Sequence, residues 1–174
     1  SSHIRVGSFH FAAHSEQPGL LAQLAEYTIE RHYPGANPRE LFTQVMDAQA
    51  ATVAGWMQLG FIHGVMNTDN TTLSGETIDY GPCAFMEDYD PDTCFSSIDT
   101  QGRYRYGNQP DMVGWNLARL AESLLPLLDA SPTTALTWAQ EAINSFGERY
   151  SRARKDEAAR RLQLPEELYA DYAT

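Results

Sequence analysis

Asp69 and Asp79, with Asn70 beside the first, are the residues of this 174-residue chain whose types and spacing could carry chemistry. The two carboxylates stand ten residues apart. They flank Thr71–Leu73 and Glu76–Ile78, which read as a small β-hairpin turning at Ser74-Gly75. Such a hairpin brings both carboxylates and the Asn70 amide to one mouth. Oxygen ligands of this kind suit a hard divalent ion such as Mg2+, which takes few protein ligands and completes its shell with substrate phosphates. An Asp base, a metal-binding Asn and a second metal-binding Asp on a following turn follow the logic of kinase-type phosphoryl transfer. Asp79-Tyr80-Gly81 also has the form of the Asp-Phe-Gly turn, where glycine lets the backbone bend until the carboxylate faces the metal. Asp and Asn are equally the residues of ordinary surface turns, so from these residues alone both readings stand.

The elements that must position this cluster are mostly helical. His3 to Ala13 reads as an extended or irregular entry, with Ile4, Val6 and Phe9 in rough alternation. A helix is expected from Glu16-Gln17-Pro18, with Leu20, Leu21, Leu24, Ala25 and Thr28 as its buried stripe and Tyr33-Pro34-Gly35 as its stop. Asn37-Pro38-Arg39-Glu40 is a strong second start, since Asn37 can cap, Pro38 fits the first helical position and Glu40 can reach back to the cap amide. Leu41, Val45, Ala48, Thr52 and Trp56 then recur at helical spacing up to Leu59-Gly60. From Tyr80 to Pro110 the chain is rich in Asp, Gly, Pro, Ser and Tyr, a long loop of the kind that is functional or ordered by packing. Helix returns at Met112 to Leu128, and Ser131-Pro132 opens a final long helix running with charge toward Leu162. The reading is one mainly α domain over 1–174.

Hydrophobic residues make up 43% and charged residues 20%, ordinary for a soluble globular chain. A formal net charge of -11 argues against a nucleic-acid partner. The late basic run (Arg149, Arg152, Arg154, Lys155, Arg160, Arg161) interleaves with acids at helical spacing and reads as a solvated face. Cys83 and Cys94 make neither a disulfide framework nor a zinc site, which fits a cytoplasmic setting, and no apolar stretch is long enough to span a bilayer. The opening Ser1-Ser2-His3-Ile4-Arg5 has no signal-peptide character and starts on a working segment, so a piece of a longer chain is expected. Asp88-Tyr89-Asp90-Pro91-Asp92 with Asp99 outlines a calcium loop, but Thr93 stands where glycine is needed and Asp99 where a bidentate Glu is needed. His10 and His14 would share a face only in a helix, which this stretch does not suggest. His63 reads as a packing and hydrogen-bonding residue, and Trp56, Trp115 and Trp138 as core.

Longer blocks add a resemblance. His63-Gly64-Val65-Met66-Asn67-Thr68-Asp69-Asn70, Thr77-Ile78-Asp79-Tyr80-Gly81-Pro82, Gly102-Arg103-Tyr104, Asn108-Gln109-Pro110 and Trp115-Asn116-Leu117 occur in this order, preceded by Ser2-His3-Ile4-Arg5-Val6-Gly7-Ser8-Phe9. Together they resemble the SelO family, the selenoprotein O or YdiU proteins, over about half of the chain.

The resemblance implies the C-terminal-lobe portion of a protein-kinase-like fold, with the hairpin carrying the metal site. It implies an enzyme that binds ATP flipped relative to ordinary kinases and transfers AMP, not phosphate, to protein hydroxyl groups. It makes Asp69 the base, Asn70 and Asp79 the Mg2+ (or Mn2+) ligands, Asp79 also a neighbour of the nucleotide phosphates, and Arg5 one of two arginines on those phosphates. The second arginine would lie just before Ser1. The family's N-terminal lobe and far C-terminal region are not in this sequence, so the chain alone is expected to bind ATP weakly and to be inactive. Cys94 sits one place from a family cysteine and the C-terminal partner is absent, so that disulfide is not expected. Two rivals remain: a pseudokinase scaffold that performs no chemistry, and a small metal-dependent phosphohydrolase complete in itself.

Overall fold

Helix α3 (Pro38–Leu59) organises the molecule, and its start is written in its first residues. The Asn37 side chain accepts the backbone N–H groups of Arg39 and Glu40, while Glu40 accepts the Asn37 N–H at 2.8 Å. Gly60, in the left-handed conformation at φ 68°, ends it. The computed structural model describes residues 2–162. Around α3 lie α1 (Val6–Ala13), α2 (Leu20–His32), α4 (Gln109–Leu128), α5 (Pro132–Asn144) and α6 (Phe146–Leu162). Helices α4 and α6 pack on α3, α1 packs on α4 and α2, and α5 on α4. Their common core is apolar, with Phe9, Leu41, Phe42, Met46, Leu117 and Leu120 withdrawn from solvent. Among the described residues, no helix is long and apolar enough to cross a membrane.

The fold is mainly helical, as expected, but four elements differ from the sequence reading. Residues 6–13 are α1, not an extended entry: Val6, Phe9 and Ala12 recur every third residue and are all buried, and the apparent alternation came from Ile4, which lies outside the helix, next to the Arg5–Thr72 bridge. Helix α2 begins at Leu20 because Gly19, at φ 79°, sits outside helical space and marks the boundary. Helix α4 starts three residues early, with Pro110 in its first turn. The last helix is two. Ser145, whose N–H still bonds the Glu141 carbonyl and whose hydroxyl donates to the Ala142 carbonyl, separates α5 from α6, and α6 packs across α3.

The hairpin also differs. Thr71 and Thr77 form a single antiparallel bridge around Gly75 (φ 77°), with no ladder. The two-stranded sheet lies outside it, pairing β1 (Phe61–Ile62) with β2 (Ala84–Phe85) antiparallel, Phe61 opposite Phe85. Thr71–Leu73 instead finds its partner in the entry segment: Leu73 donates to the Ile4 carbonyl and Val6 to the Thr71 carbonyl, both at 2.9 Å, bracketing an Arg5–Thr72 bridge. The expected hairpin is thus a tight turn that bridges to the start of α1.

Of the three tryptophans, Trp56 and Trp138 are partly buried, but Trp115 is 41% exposed. It lies on the outer face of α4, between the Arg103 and Arg119 guanidinium groups at 4.7 and 5.4 Å from its ring centre. The basic run on α6 is ion-paired: Arg149 reaches Asp47 on α3 at 2.5 Å, and Arg160 and Arg161 share Glu157.

Candidate functional site

Asp69 sits on a one-turn 3-10 helix, Thr68–Asn70, which its own sequence builds. Asn67 accepts the Asp69 N–H on its side-chain oxygen at 2.9 Å and the Asn70 N–H on its carbonyl at 3.0 Å. The Asn70 amide nitrogen donates to the Val65 carbonyl at 3.0 Å, and among the described residues no donor reaches its Oδ1. The Asp69 side chain is exposed and makes no ion pair among the described residues.

Arg5, the residue before α1, and Gly7, in its first turn, meet this turn. The Arg5 Nη1 donates to the Asp69 carbonyl at 3.3 Å, while its Nε is buried with no hydrogen-bond partner among the described residues. The Asp69 carboxylate lies against Gly7, where a Cβ would fall 2.1 Å from Oδ1. Arg5, Gly7 and Asp69 line a groove of about 410 Å3 together with the apolar Phe11, Leu20 and Leu24.

Asp79 follows the bridge and takes φ 57°, the left-handed conformation, unlike any other non-glycine residue described. It is exposed, and no hydrogen bond joins it to Asp69 or Asn70. The two halves of the motif are nevertheless one body. Gly64 (φ 85°) lies so close to the second half that a Cβ there would fall 2.9 Å from Pro82 Cγ and 3.0 Å from the Pro82 oxygen. His63 is fully buried and its Nε2 donates to the Ile78 carbonyl at 2.7 Å, as the packing and hydrogen-bonding role requires. Burial pushes the His63 imidazole below its ordinary pKa, against the opposing pull of the Ile78 carbonyl and the Asp79 charge.

Three residues that hold this body were not singled out by type or spacing. Gln109 at the start of α4 accepts the His63 N–H and donates to the Phe61 carbonyl, both at 2.9 Å. Asn116 reaches both ends of the Asp69 turn from the middle of α4. Both are fully buried polar residues in an apolar helix face, a pattern that signals a bonded partner. Gly7 carried no signal of its own.

The other polar clusters are structural. His10 and His14 do lie on one helical turn, contrary to expectation, with the His14 Nδ1 2.8 Å from the His10 carbonyl and both rings exposed. Asp99 accepts the N–H groups of Arg103 and Tyr104 at 2.9 and 2.7 Å. Burial raises the Asp99 carboxyl, but these donors outweigh it and hold it below the usual range. Asp92 pairs with Arg105 at 3.1 Å. Together with the Tyr106 and Gly107 N–H groups on the Thr93 and Pro91 carbonyls, these contacts order the long loop against the start of α4. Among the described residues, no three His, Cys, Asp or Glu side chains gather closely enough to form a metal cage.

The family model for protein adenylyltransferase SelO matches residues 1–172. The chain is 53% identical to the protein nucleotidyltransferase YdiU of Mycolicibacterium paratuberculosis, covering 99% of this chain and 36% of that protein. It is 55% identical to the protein of the same name from Corynebacterium efficiens, over 94% of this chain and 35% of the relative. For the Rhizobium johnstonii protein the identity is 58%, over 86% and 31%. The chain therefore spans about a third of the length of the curated relatives it matches. With a matched region that takes in Arg5, Asp69, Asn70 and Asp79 together, the chain belongs to the SelO family.

Proposed function

We propose that this chain is the base- and metal-binding part of a protein adenylyltransferase, a C-terminal-lobe portion of a kinase-like fold that works in the cytoplasm. The enzyme moves AMP from ATP to Ser, Thr or Tyr hydroxyl groups of other proteins. The observation that carries this reading is two oxygen ligands without a hydrogen-bond donor among the described residues: the Asn70 Oδ1, whose amide nitrogen is held by Val65, and the carboxylate of Asp79, a residue in the left-handed conformation. One carboxylate and one amide oxygen fit Mg2+ or Mn2+, which favours few protein ligands and takes the remainder from substrate phosphates. Bound there, the ion would offset charge on the oxygens around the reacting phosphorus.

The remaining work falls to the chain's own residues. Asp69 accepts the proton of the incoming protein hydroxyl as the bond to the α-phosphorus forms, and pyrophosphate departs. Arg5, whose Nε has no hydrogen-bond partner among the described residues, supplies donors to the phosphates. Spanning about a third of its relatives' length, the chain is expected to be inactive by itself. The test uses a protein of full family length carrying this segment. With ATP labelled at the α-phosphate, protein should become labelled in the presence of Mg2+ or Mn2+, while γ-labelled ATP should leave it blank. Labelling that survives Asp79→Ala, or that comes from the γ-phosphate, overturns the reading.

A further inference from the structure

We infer that Gly7 is a positioning residue for Asp69: its missing side chain is the space that the Asp69 carboxylate occupies. This rests on the reading of Asp69 as the base. Gly7 sits in the first turn of α1, and its φ is not among the positive ones, so the backbone itself does not ask for glycine. In such a place glycine is among the least favourable residues for a helix. The neighbour explains it. A Cβ on residue 7 would lie 2.1 Å from Asp69 Oδ1, 3.1 Å from Asp69 Cγ and 3.5 Å from the Thr68 carbonyl oxygen. The first of these is roughly 1 Å inside van der Waals contact.

Of the two partners to that collision, the carboxylate yields. Residues 4–6 are fixed to 71–73 by the Arg5–Thr72 bridge and its two flanking hydrogen bonds, and Arg5 holds the Asp69 carbonyl. The backbones of α1 and the turn therefore keep their separation. The Asp69 side chain is exposed and free of ion pairs among the described residues, so it can swing away. A methyl group at residue 7 thus moves the base and leaves the fold standing. Displacing a reacting group by about 1 Å lowers a rate by about 100-fold.

The experiment uses a full-length protein carrying this segment, as wild type, Gly7→Ala, Asp69→Asn and the double variant. AMP transfer, the KM for ATP and the melting temperature are read for each. Gly7→Ala is expected to lower kcat by about 100-fold, with KM for ATP within about 2-fold and melting unchanged or higher. Placed on Asp69→Asn, it should add less than about 3-fold, because the two changes remove one function. Near-normal kcat in Gly7→Ala beside an inactive Asp69→Asn overturns the inference alone. So does a full additional loss in the double variant. An active Asp69→Asn overturns the base reading, and this inference with it. If Gly7→Ala melts lower, Asp69→Gly should restore its melting temperature by removing the colliding side chain; lower melting that Asp69→Gly does not relieve also overturns the inference.

Discussion

Asn116 ties both ends of the Asp69 turn to α4, since its amide nitrogen donates to the Thr71 hydroxyl and to the Met66 carbonyl, each at 2.9 Å. Asn116 is wholly buried, and Met66 and Thr71, which carry the two acceptors, are buried as well.

Asn116→Ala should therefore cost about 2–3 kcal/mol, the penalty of leaving buried acceptors unpaired. Urea unfolding of the chain measures it. Asn116→Asp keeps the shape but removes the donors, and should cost at least as much. A loss below about 0.5 kcal/mol in both variants would show that the turn stands without this clamp.

Asp79 is predicted to trade stability for function. A side chain at positive φ is strained, less so for Asp than for Ala and not at all for Gly. Asp79→Gly should thus unfold about 1 kcal/mol harder than Asp79→Ala, while both abolish AMP transfer in the full-length protein. Equal stability of the two variants would mean that the left-handed turn relaxes in solution.

His63 gives a pH dependence whose sign is fixed. Burial lowers its folded pKa, so between that value and the ordinary 6.5 the unfolded chain binds a proton that the folded chain does not. Stability therefore rises with pH through this window and falls as pH drops below about 6.5. Comparing wild type with His63→Gln isolates the contribution, because His32, also lowered by burial, titrates in both. The wild type should show the steeper loss between about pH 6.5 and 5. Parallel curves for the two proteins would remove His63 as the cause.

What the sequence announces, and what it hides, follow from the range of the forces involved. The start of α3 is legible because Asn37, Pro38 and Glu40 act within one turn. The buried face of α4 is legible because Val113, Leu117, Leu120 and Leu124 hold one period. Helix α1 is hidden because its cap residue is Arg5, which offers no capping chemistry, and because its first turn is fixed by Thr71, distant in sequence. The hairpin fails for the same reason in reverse: Thr72 bridges Arg5 instead of completing a ladder with Glu76–Ile78. At the site, Asp69, Asn70 and Asp79 are visible by type, whereas Gly7, Gln109 and Asn116 act through contacts that span from 45 to more than 60 positions of chain. The polar residues in the apolar face of α4 point to Gln109 and Asn116, whereas nothing in residue type or spacing points to Gly7.

Glycines offer a last, paired prediction. Gly64 combines φ 85° with a contact that leaves no room for a methyl group against Pro82, so Gly64→Ala is both strained and overpacked. It should cost more than about 2 kcal/mol, and, by pushing the 79–82 turn away from the Asp69 turn, it should lower AMP transfer in the full-length protein. Gly55, inside α3, has nothing within 4 Å of its Cβ position and a helical backbone. Gly55→Ala should stabilise by up to about 1 kcal/mol through helix propensity alone, leaving activity intact. Urea midpoints for the two single variants, measured side by side, decide the matter. A Gly64→Ala chain as stable as wild type would show that the two halves of the motif do not approach as closely as their backbones indicate.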